Sequence, residues 1–256
     1  MLALMAAGGV VFPGLFVLSR LGLRFLMGWS EADATIVSVR GVSSVQAAMA
    51  SAAGCIIASS CQDVMEDKHW LTEAYVSFAA PYFVYDMYAM FLCHCHQRRQ
   101  QGDTHVAAFV RREMLMVLHH AFMVLFCLPA SLVWRRGKGD YFQGVLLLAE
   151  LSTPFVSLAK VLMQLEKEHT LLYKVNGVLT LLVFFACRVA LFPYLYLAYS
   201  RYASMSVHQA VLEAPWQCNV GAALLWPLQV YWMALMCRRA FRLLTGRSHT
   251  KVKKTP

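Results

Sequence analysis

Seven long apolar runs dominate this sequence, and each has about the length that an α-helix needs to cross a bilayer. They cover residues 3–26, 35–61, 73–95, 112–134, 141–165, 174–200 and 216–240. A helix rises 1.5 Å per residue, so roughly 20 apolar residues cross a hydrocarbon core of about 30 Å. The helix also pairs its own backbone polar groups, as the membrane interior requires. The sequence therefore predicts an all-α fold, a polytopic bundle of about seven transmembrane helices.

The charge content fits a membrane protein better than a soluble domain. Only 14% of the residues are charged and the mean hydropathy is +0.52, whereas soluble domains carry about 25% charged residues. The net charge of +9 by itself suggests nucleic acid. The basic residues, however, lie in short segments between apolar runs and at the C-terminus. We therefore expect membrane lipids, and no nucleic acid, as partners.

The second run, 35–61, is rich in Ala, Ser and Gly and also carries Arg40. Small side chains let helix backbones approach closely in membranes. This run is predicted to lie inside the bundle.

Lysine and arginine positions predict the orientation. Arg20 and Arg24 follow the first run and no basic residue precedes it, which is typical of an uncleaved anchor with its N-terminus outside. Alternate loops and the C-terminal tail hold most other basic residues. The opposite loops hold Lys68, Arg135, Arg136, Lys138 and Arg201. The positive-inside rule then predicts a lumenal N-terminus and a cytosolic C-terminus.

The chain ends in Lys253-Lys254-Thr255-Pro256, which matches a dilysine retrieval signal. Such a signal is an address read by a receptor on the cytosolic side. It predicts a multi-pass protein of the endoplasmic reticulum membrane that cycles with the Golgi, with the dilysine-reading retrieval coat as a partner.

Four ionisable residues, Asp86, His119, His120 and Glu150, lie well inside the spans. At 1.5 Å per residue they are about 10–13 Å from the nearer ends of their runs, and Arg40 is about 8 Å in. A charge at mid-membrane costs roughly 2.5–3.5 kcal/mol, so such residues face the bundle interior and often mark function. The five side chains are expected to meet in one layer.

His119 and His120 are adjacent, so their side chains point about 100° apart on a helix. One can face a cavity while the other turns to a neighbouring helix. Imidazole can act as base, acid or nucleophile near neutral pH, and Asp86 or Glu150 could orient it. The alternative is structural, with interhelical hydrogen bonds and an Arg40–Asp86 ion pair holding the bundle together.

Pro154 follows Glu150 by four residues and has no amide hydrogen. The helical partner of the Glu150 carbonyl is therefore missing. We expect a kink that frees this acceptor, with Ser152 and Thr153 satisfying it in part, and the kinked helix forming one wall of a polar cavity.

The Cys93-His94-Cys95-His96 cluster contains metal-ligand residue types at the end of the third run. No second ligand pair follows at the spacing of zinc modules. The sequence therefore predicts no metal site, with palmitoylation of the cysteines as the alternative.

Several of these stretches resemble the TLC-domain family of endoplasmic-reticulum membrane proteins, which includes the ceramide synthases. Leu118-His119-His120 resembles the paired-histidine motif of that family. The runs at 149–155 and 174–188 resemble the branch of the family that lacks a homeobox, and further similar runs lie at 11–16 and 82–86.

The resemblance implies ceramide synthesis, the N-acyl transfer from a fatty acyl-CoA to a sphingoid base. It implies a TLC-type domain over 34–245, preceded by an anchor span and loop (1–33) and followed by a basic tail (246–256). Acyl-CoA would be a co-substrate, with no bound cofactor. The catalytic residues would be His119, His120, Glu150 and Asp86, and the substrate-binding residues Ser152, Thr153, Asn176 and Arg40.

Ceramide synthases carry a second motif with His-Asp and a further Asp, where this chain reads Ala-Glu-Leu-Ser-Thr at 149–153. The second histidine and both aspartates are therefore absent. Two non-enzymatic functions stay open: a lipid-binding regulator of sphingolipid or phospholipid composition, and a cargo receptor of the endoplasmic reticulum. Either could act as a homo- or hetero-oligomer.

Overall fold

The computed structural model describes residues 1–98 and 104–244, so the predicted dilysine tail lies outside the described residues. This part of the chain is helical and contains no strand. Seven helices are long and apolar enough to cross a membrane, which confirms the predicted fold class. They are α1 (Leu2–Met27), α2 (Glu31–Ser60), α3 (Trp70–Arg98), α5 (Met114–Trp134), α6 (Asp140–Gln164), α7 (Leu171–Tyr202) and α9 (Trp216–Leu244). Two short helices, α4 (Val106–Arg112) and α8 (Val207–Glu213), lie between them.

Successive spanning helices alternate in direction, so their ends form two faces. The N-terminal face holds residue 1 and the segments 61–69, 135–139 and 203–215. The C-terminal face holds the segments 28–30 and 165–170 and the end of α9.

Helix α2 lies at the centre of the packing, as its small residues predict. It packs against α1, α3 and α6, and its buried positions include Ala47, Ala50 and Ala53. Its close approach to α6 depends on two glycines. A Cβ on Gly54 would lie 2.6 Å from the Gly144 carbonyl oxygen, and one on Gly144 would lie 2.9 Å from Ile57 Cγ2.

Three of the spanning helices depart from regular α-helical geometry. Helix α5 widens into π-type turns at Met123–Cys127 and Ala130–Trp134. Helix α6 tightens into a 3₁₀ segment at Leu148–Ser152, and α7 widens at Phe185–Val189. Such turns are frequent at functional sites. The 3₁₀ segment of α6 contains the ionisable residue Glu150, and the widened turn of α7 contains Arg188.

The segments 61–69 and 135–139 are joined at the N-terminal face. The buried carboxylate of Asp140 accepts a hydrogen bond from the His69 amide at 2.7 Å and contacts Arg135. The amides of Glu66 and Met65 donate to Asp63 and lower the pKa of that carboxyl. These contacts fix the ends of α3 and α6 relative to one another.

A substitution at Gly8 tests the close packing of α1 on α3, because a Cβ added there would lie 1.9 Å from the Phe78 carbonyl oxygen. We expect Gly8→Ala to push the helices apart and to destabilise the protein by about 1–3 kcal/mol. Gly14→Ala is the matched control, since a Cβ there meets nothing within 4 Å. Thermal unfolding of the purified protein in detergent measures both. Equal stability of the two variants would contradict this packing.

Candidate functional site

His120 and Asp86 form a buried contact between α5 and α3. Nε2 of His120 lies 3.0 Å from Oδ2 of Asp86, and each residue is only 6% exposed. The Ser43 hydroxyl of α2 lies 3.3 Å from Oδ1 of Asp86, and Tyr82 is a further hydrogen-bond partner of this carboxylate. The Asp86 side chain thus links three helices inside the bundle.

Both ring nitrogens of His120 face oxygen atoms. Nδ1 lies 2.9 Å from the Met116 carbonyl oxygen, which can only accept, so Nδ1 carries a hydrogen. The Nε2 contact with Asp86 then requires one further proton, held either by the imidazole or by the carboxyl group. In both cases the Nε2 lone pair is engaged. His120 is therefore held in place and has no free nitrogen to offer a substrate.

His119 has the opposite environment. Its Nδ1 is buried and has no hydrogen-bond partner among the described residues. The ring packs edge-to-face against Trp232 of α9 and against His120, with both centroid distances 5.6 Å. It also lines a cavity. Of the two adjacent histidines, His119 is the one whose imidazole is free to react or to bind.

The cavity beside His119 lies between α2, α3, α5, α6, α7 and α9. Much of its wall is apolar, formed by residues such as Val76, Phe83, Met123, Leu147 and Leu225. A few polar groups converge on it: Gln46, Gln143, Glu150, Arg188 and Gln229. An apolar wall with few polar groups is typical of small-molecule sites. This lining suits a largely apolar molecule with a few polar groups.

Glu150 reaches this cavity within a polar network centred on Arg188. Nε of Arg188 donates to Ser152 Oγ at 2.8 Å, and one terminal nitrogen donates to Thr153 Oγ1 at 2.9 Å. The same nitrogen lies 3.5 Å from Oε2 of Glu150, which also accepts from Thr153 Oγ1 at 2.7 Å. The Glu150 carboxylate is therefore ion-paired and held in one orientation.

The Glu150 carbonyl, which Pro154 deprives of its usual helical partner, is satisfied by Thr153, one of the two residues that the sequence offered for this. The amide of Thr153, only three residues on, donates to that carbonyl in the 3₁₀ segment. Pro154 removes the usual partner four residues on, and the helix tightens by one residue to supply another. The 3₁₀ segment still interrupts the regular geometry of α6, and Glu150 within it lines the cavity.

The structure separates the predicted site residues into groups. His119 and Glu150 line the cavity, and the His120–Asp86 contact lies beside it. Ser152 and Thr153 bind Arg188, which thus gains a place at the site that its sequence position did not indicate. Asn176 is buried and donates to the Phe155 carbonyl at 2.9 Å, so it joins α7 to α6 and does not line the cavity.

Arg40 does not pair with Asp86, whose close partner is His120. The expected Arg40–Asp86 ion pair is therefore not formed, and Asp86 contacts His120 instead. Arg40 forms no ion pair within 4.0 Å in the part of the chain that the structure describes.

The amide side chains of the cavity were not predicted as site residues from the sequence. Gln46 lines the cavity, and its Oε1 has no hydrogen-bond partner among the residues described. Its Nε2 lies 3.5 Å from the Tyr75 hydroxyl. Gln229 lies 3.5 Å from Arg188 and is 4% exposed. A lone amide inside an apolar run is the sequence signal that could have identified both residues.

Comparison with known proteins identifies the family. The sequence model of the TLC-domain family matches residues 36–238, so the chain belongs to this family. This family includes ceramide synthases and other membrane proteins that regulate lipids. No solved structure matches this chain.

The different environments of the two histidines predict different effects on stability. His120→Phe leaves the Asp86 carboxylate buried without its partner, and we expect a loss of about 3–5 kcal/mol. His119→Phe keeps the ring contact with Trp232 and removes a nitrogen that no described residue bonds, so a change under about 1 kcal/mol is expected. Chemical unfolding in detergent compares the two. A similar loss for both variants would show that His119 is also bonded structurally.

Proposed function

We propose that this protein is an N-acyltransferase that moves a fatty acyl group from acyl-CoA to a sphingoid base within the membrane. The observation that carries the proposal is the free imidazole of His119 in a largely apolar cavity. The family includes acyltransferases. A cavity with apolar walls would hold an acyl chain, while its polar groups would bind the amine and hydroxyls of the acceptor.

In the proposed step, His119 acts as the general base. The amine nitrogen of the sphingoid base bonds to the thioester carbon, and the carbon–sulfur bond breaks. The proton lost by the amine moves to His119 and then to the departing thiolate of CoA. A positioned base of this kind contributes roughly 10²–10⁴-fold to a rate.

The neighbouring residues would position this base. The His120–Asp86 contact fixes the backbone on which His119 lies. Glu150 would stabilise the imidazolium that forms when His119 takes the proton, while Arg188 and Thr153 hold its carboxylate in place.

A second candidate is a non-enzymatic lipid-binding protein that regulates membrane composition. It is favoured by the state of Glu150, because Arg188 and Thr153 already engage the only carboxylate in the cavity lining of the described residues. The absence of the second ceramide synthase motif points the same way. This candidate retains the cavity as a lipid site but assigns no reaction to His119.

Acyl transfer by the purified full-length protein separates these candidates. With fatty acyl-CoA and sphinganine in detergent, the wild-type protein is expected to form ceramide. His119→Gln should lower the rate by 10²-fold or more because the base is lost. Product is quantified by mass spectrometry against a no-protein reaction.

Leu118→Ala is the control in this assay, since Leu118 lies beside His119 but is 58% exposed on the outside of the bundle. It should keep most of the activity. Ceramide at background level with the wild-type protein, or unchanged activity of His119→Gln, would favour the non-enzymatic candidate.

We also propose that the protein resides in the endoplasmic reticulum membrane with its C-terminus in the cytosol. The charge asymmetry of the loops and the sequence Lys253-Lys254 support this orientation. The C-terminal face would then open toward cytosolic acyl-CoA.

Replacing both Lys253 and Lys254 by Ser should move the protein from the endoplasmic reticulum toward later compartments, because the retrieval coat no longer binds. Fluorescence microscopy of tagged protein, with the tag placed at the N-terminus, measures the change. Replacing Lys251 by Ser is the matched control. An unchanged distribution of the double variant would contradict the retrieval signal.

A further inference from the structure

A contact between α2 and α6 near the C-terminal face sets the register of these two helices. Nε2 of Gln164, the last residue of α6, donates to Oδ1 of Asp33 at 2.8 Å. The two helices pack along much of their lengths and run in opposite directions. Residues that follow Asp33 and residues that precede Gln164 therefore enter the membrane side by side.

This register brings two basic residues together. Arg40 lies seven residues after Asp33, about 10.5 Å along α2, and Lys160 lies four residues before Gln164, about 6 Å along α6. Positions at these spacings fall on the same side of a helix as the contact residues. The two charged side chains are thus separated by only about 4–5 Å along the helix axes, and they are close enough to repel one another.

Neither cation forms an ion pair with a described residue. Among the residues that the structure describes, neither Arg40 nor Lys160 lies within 4.0 Å of a carboxylate oxygen. The Nε atom of Arg40 is buried and lacks a hydrogen-bond partner there. Of the nearby carboxylates, Asp86 contacts His120 and Glu113 contacts Arg112.

Two like charges without a counter-ion are costly between transmembrane helices, where ionisable groups pair or mark binding sites. A bound anion would offset the repulsion between the two cations and would accept a hydrogen bond from Nε of Arg40. This arrangement is what a preformed anion site requires.

We propose that Arg40 and Lys160 bind the phosphate group of a membrane lipid at the C-terminal face. Arginine binds phosphate through two parallel hydrogen bonds, and lysine adds a compact charge. Basic pockets between transmembrane helices are known to hold lipid head groups. Two positive charges match a phosphate monoester, such as phosphatidic acid, better than a phosphodiester with a single negative charge.

The depth of the site favours a lipid over a water-soluble phosphate. Lys160 lies only about 6 Å from the end of α6, where lipid head groups meet the hydrocarbon core. Arg40 precedes Ser43 by one helical turn, and Ser43 contacts Asp86 beside the two histidines. A phosphate here is therefore close to the cavity, whereas the phosphates of CoA are separated from its thioester by the whole pantetheine arm. The inference does not depend on the proposed acyl transfer.

A binding titration tests the site directly. Purified full-length protein, delipidated in detergent, is titrated with phosphatidic acid and with phosphatidylcholine of the same acyl chains, and bound lipid is counted by native mass spectrometry. Phosphatidic acid should bind more tightly. Arg40→Gln and Lys160→Gln should each weaken its binding by roughly tenfold or more, because a charge-assisted contact is lost.

Lys174→Gln is the matched control, because Lys174 is exposed at the same face but lies outside the proposed site. It should bind phosphatidic acid as the wild type does. Equal weakening by Lys174→Gln would indicate general surface attraction and overturn the proposal, as would equal binding of the two lipids. Displacement of phosphatidic acid by similar concentrations of CoA or inorganic phosphate would assign the cations to a soluble ligand instead.

The same variants report whether these cations serve the fold. Since Lys160 forms no ion pair with a described residue and Arg40 repels it, Lys160→Gln should leave the melting temperature of the delipidated protein unchanged or raise it. A clear decrease would show that Lys160 is paired within the protein and would contradict the site.

Discussion

The contact between His120 and Asp86 is the constraint on which the polar centre depends. Neither group is stable alone in an apolar interior, and each is satisfied by the other. The contact joins α5 to α3, and Ser43 extends it to α2, which packs centrally. Because His120 points toward α3, the preceding side chain on the same helix, His119, points about 100° away from that direction. His119 is thereby presented to the cavity.

The buried polar residues thus fall into two networks with different properties. The first, His120, Asp86 and Ser43, is closed: its polar atoms face one another. The second lies around the cavity, where Arg188 holds Glu150, Ser152 and Thr153. Around this cavity, His119 and Gln46 each have an atom that finds no hydrogen-bond partner in the described part of the chain. Unsatisfied buried atoms of this kind are costly, so they indicate where a ligand would bind.

Irregular helix turns give the second network its position. Glu150 lies in the 3₁₀ segment of α6, and Arg188 lies in a π-type turn of α7. Each irregular turn changes the direction of the side chains that follow it, so two distant parts of the chain converge on one cavity. The small residues of α2 allow this convergence, because they let α6 approach closely at Gly54 and Gly144.

The sequence predicts the helices well because bilayer thickness sets their length. All seven spans were found within a few residues, and the small-residue run is indeed the central helix. The sequence does not reveal which histidine is free, since that depends on how α5 is rotated against α3. The sequence also does not reveal that Arg40 lies close to Lys160, because this proximity depends on the register between α2 and α6. The sequence named Thr153 as a possible partner of the Glu150 carbonyl, but it did not reveal that the helix tightens locally around Pro154 to bring the Thr153 amide there.

The different states of His119 and His120 determine which imidazole is free to react, and nitrogen-15 NMR of histidine-labelled protein measures these states directly. The His119→Gln and His120→Gln variants assign the signals. For His120 we predict that both ring nitrogens are protonated or strongly hydrogen-bonded, whereas His119 should show one unprotonated nitrogen without a hydrogen bond. An unprotonated, unbonded nitrogen in His120, or two engaged nitrogens in His119, would contradict the assignment of His119 as the free imidazole.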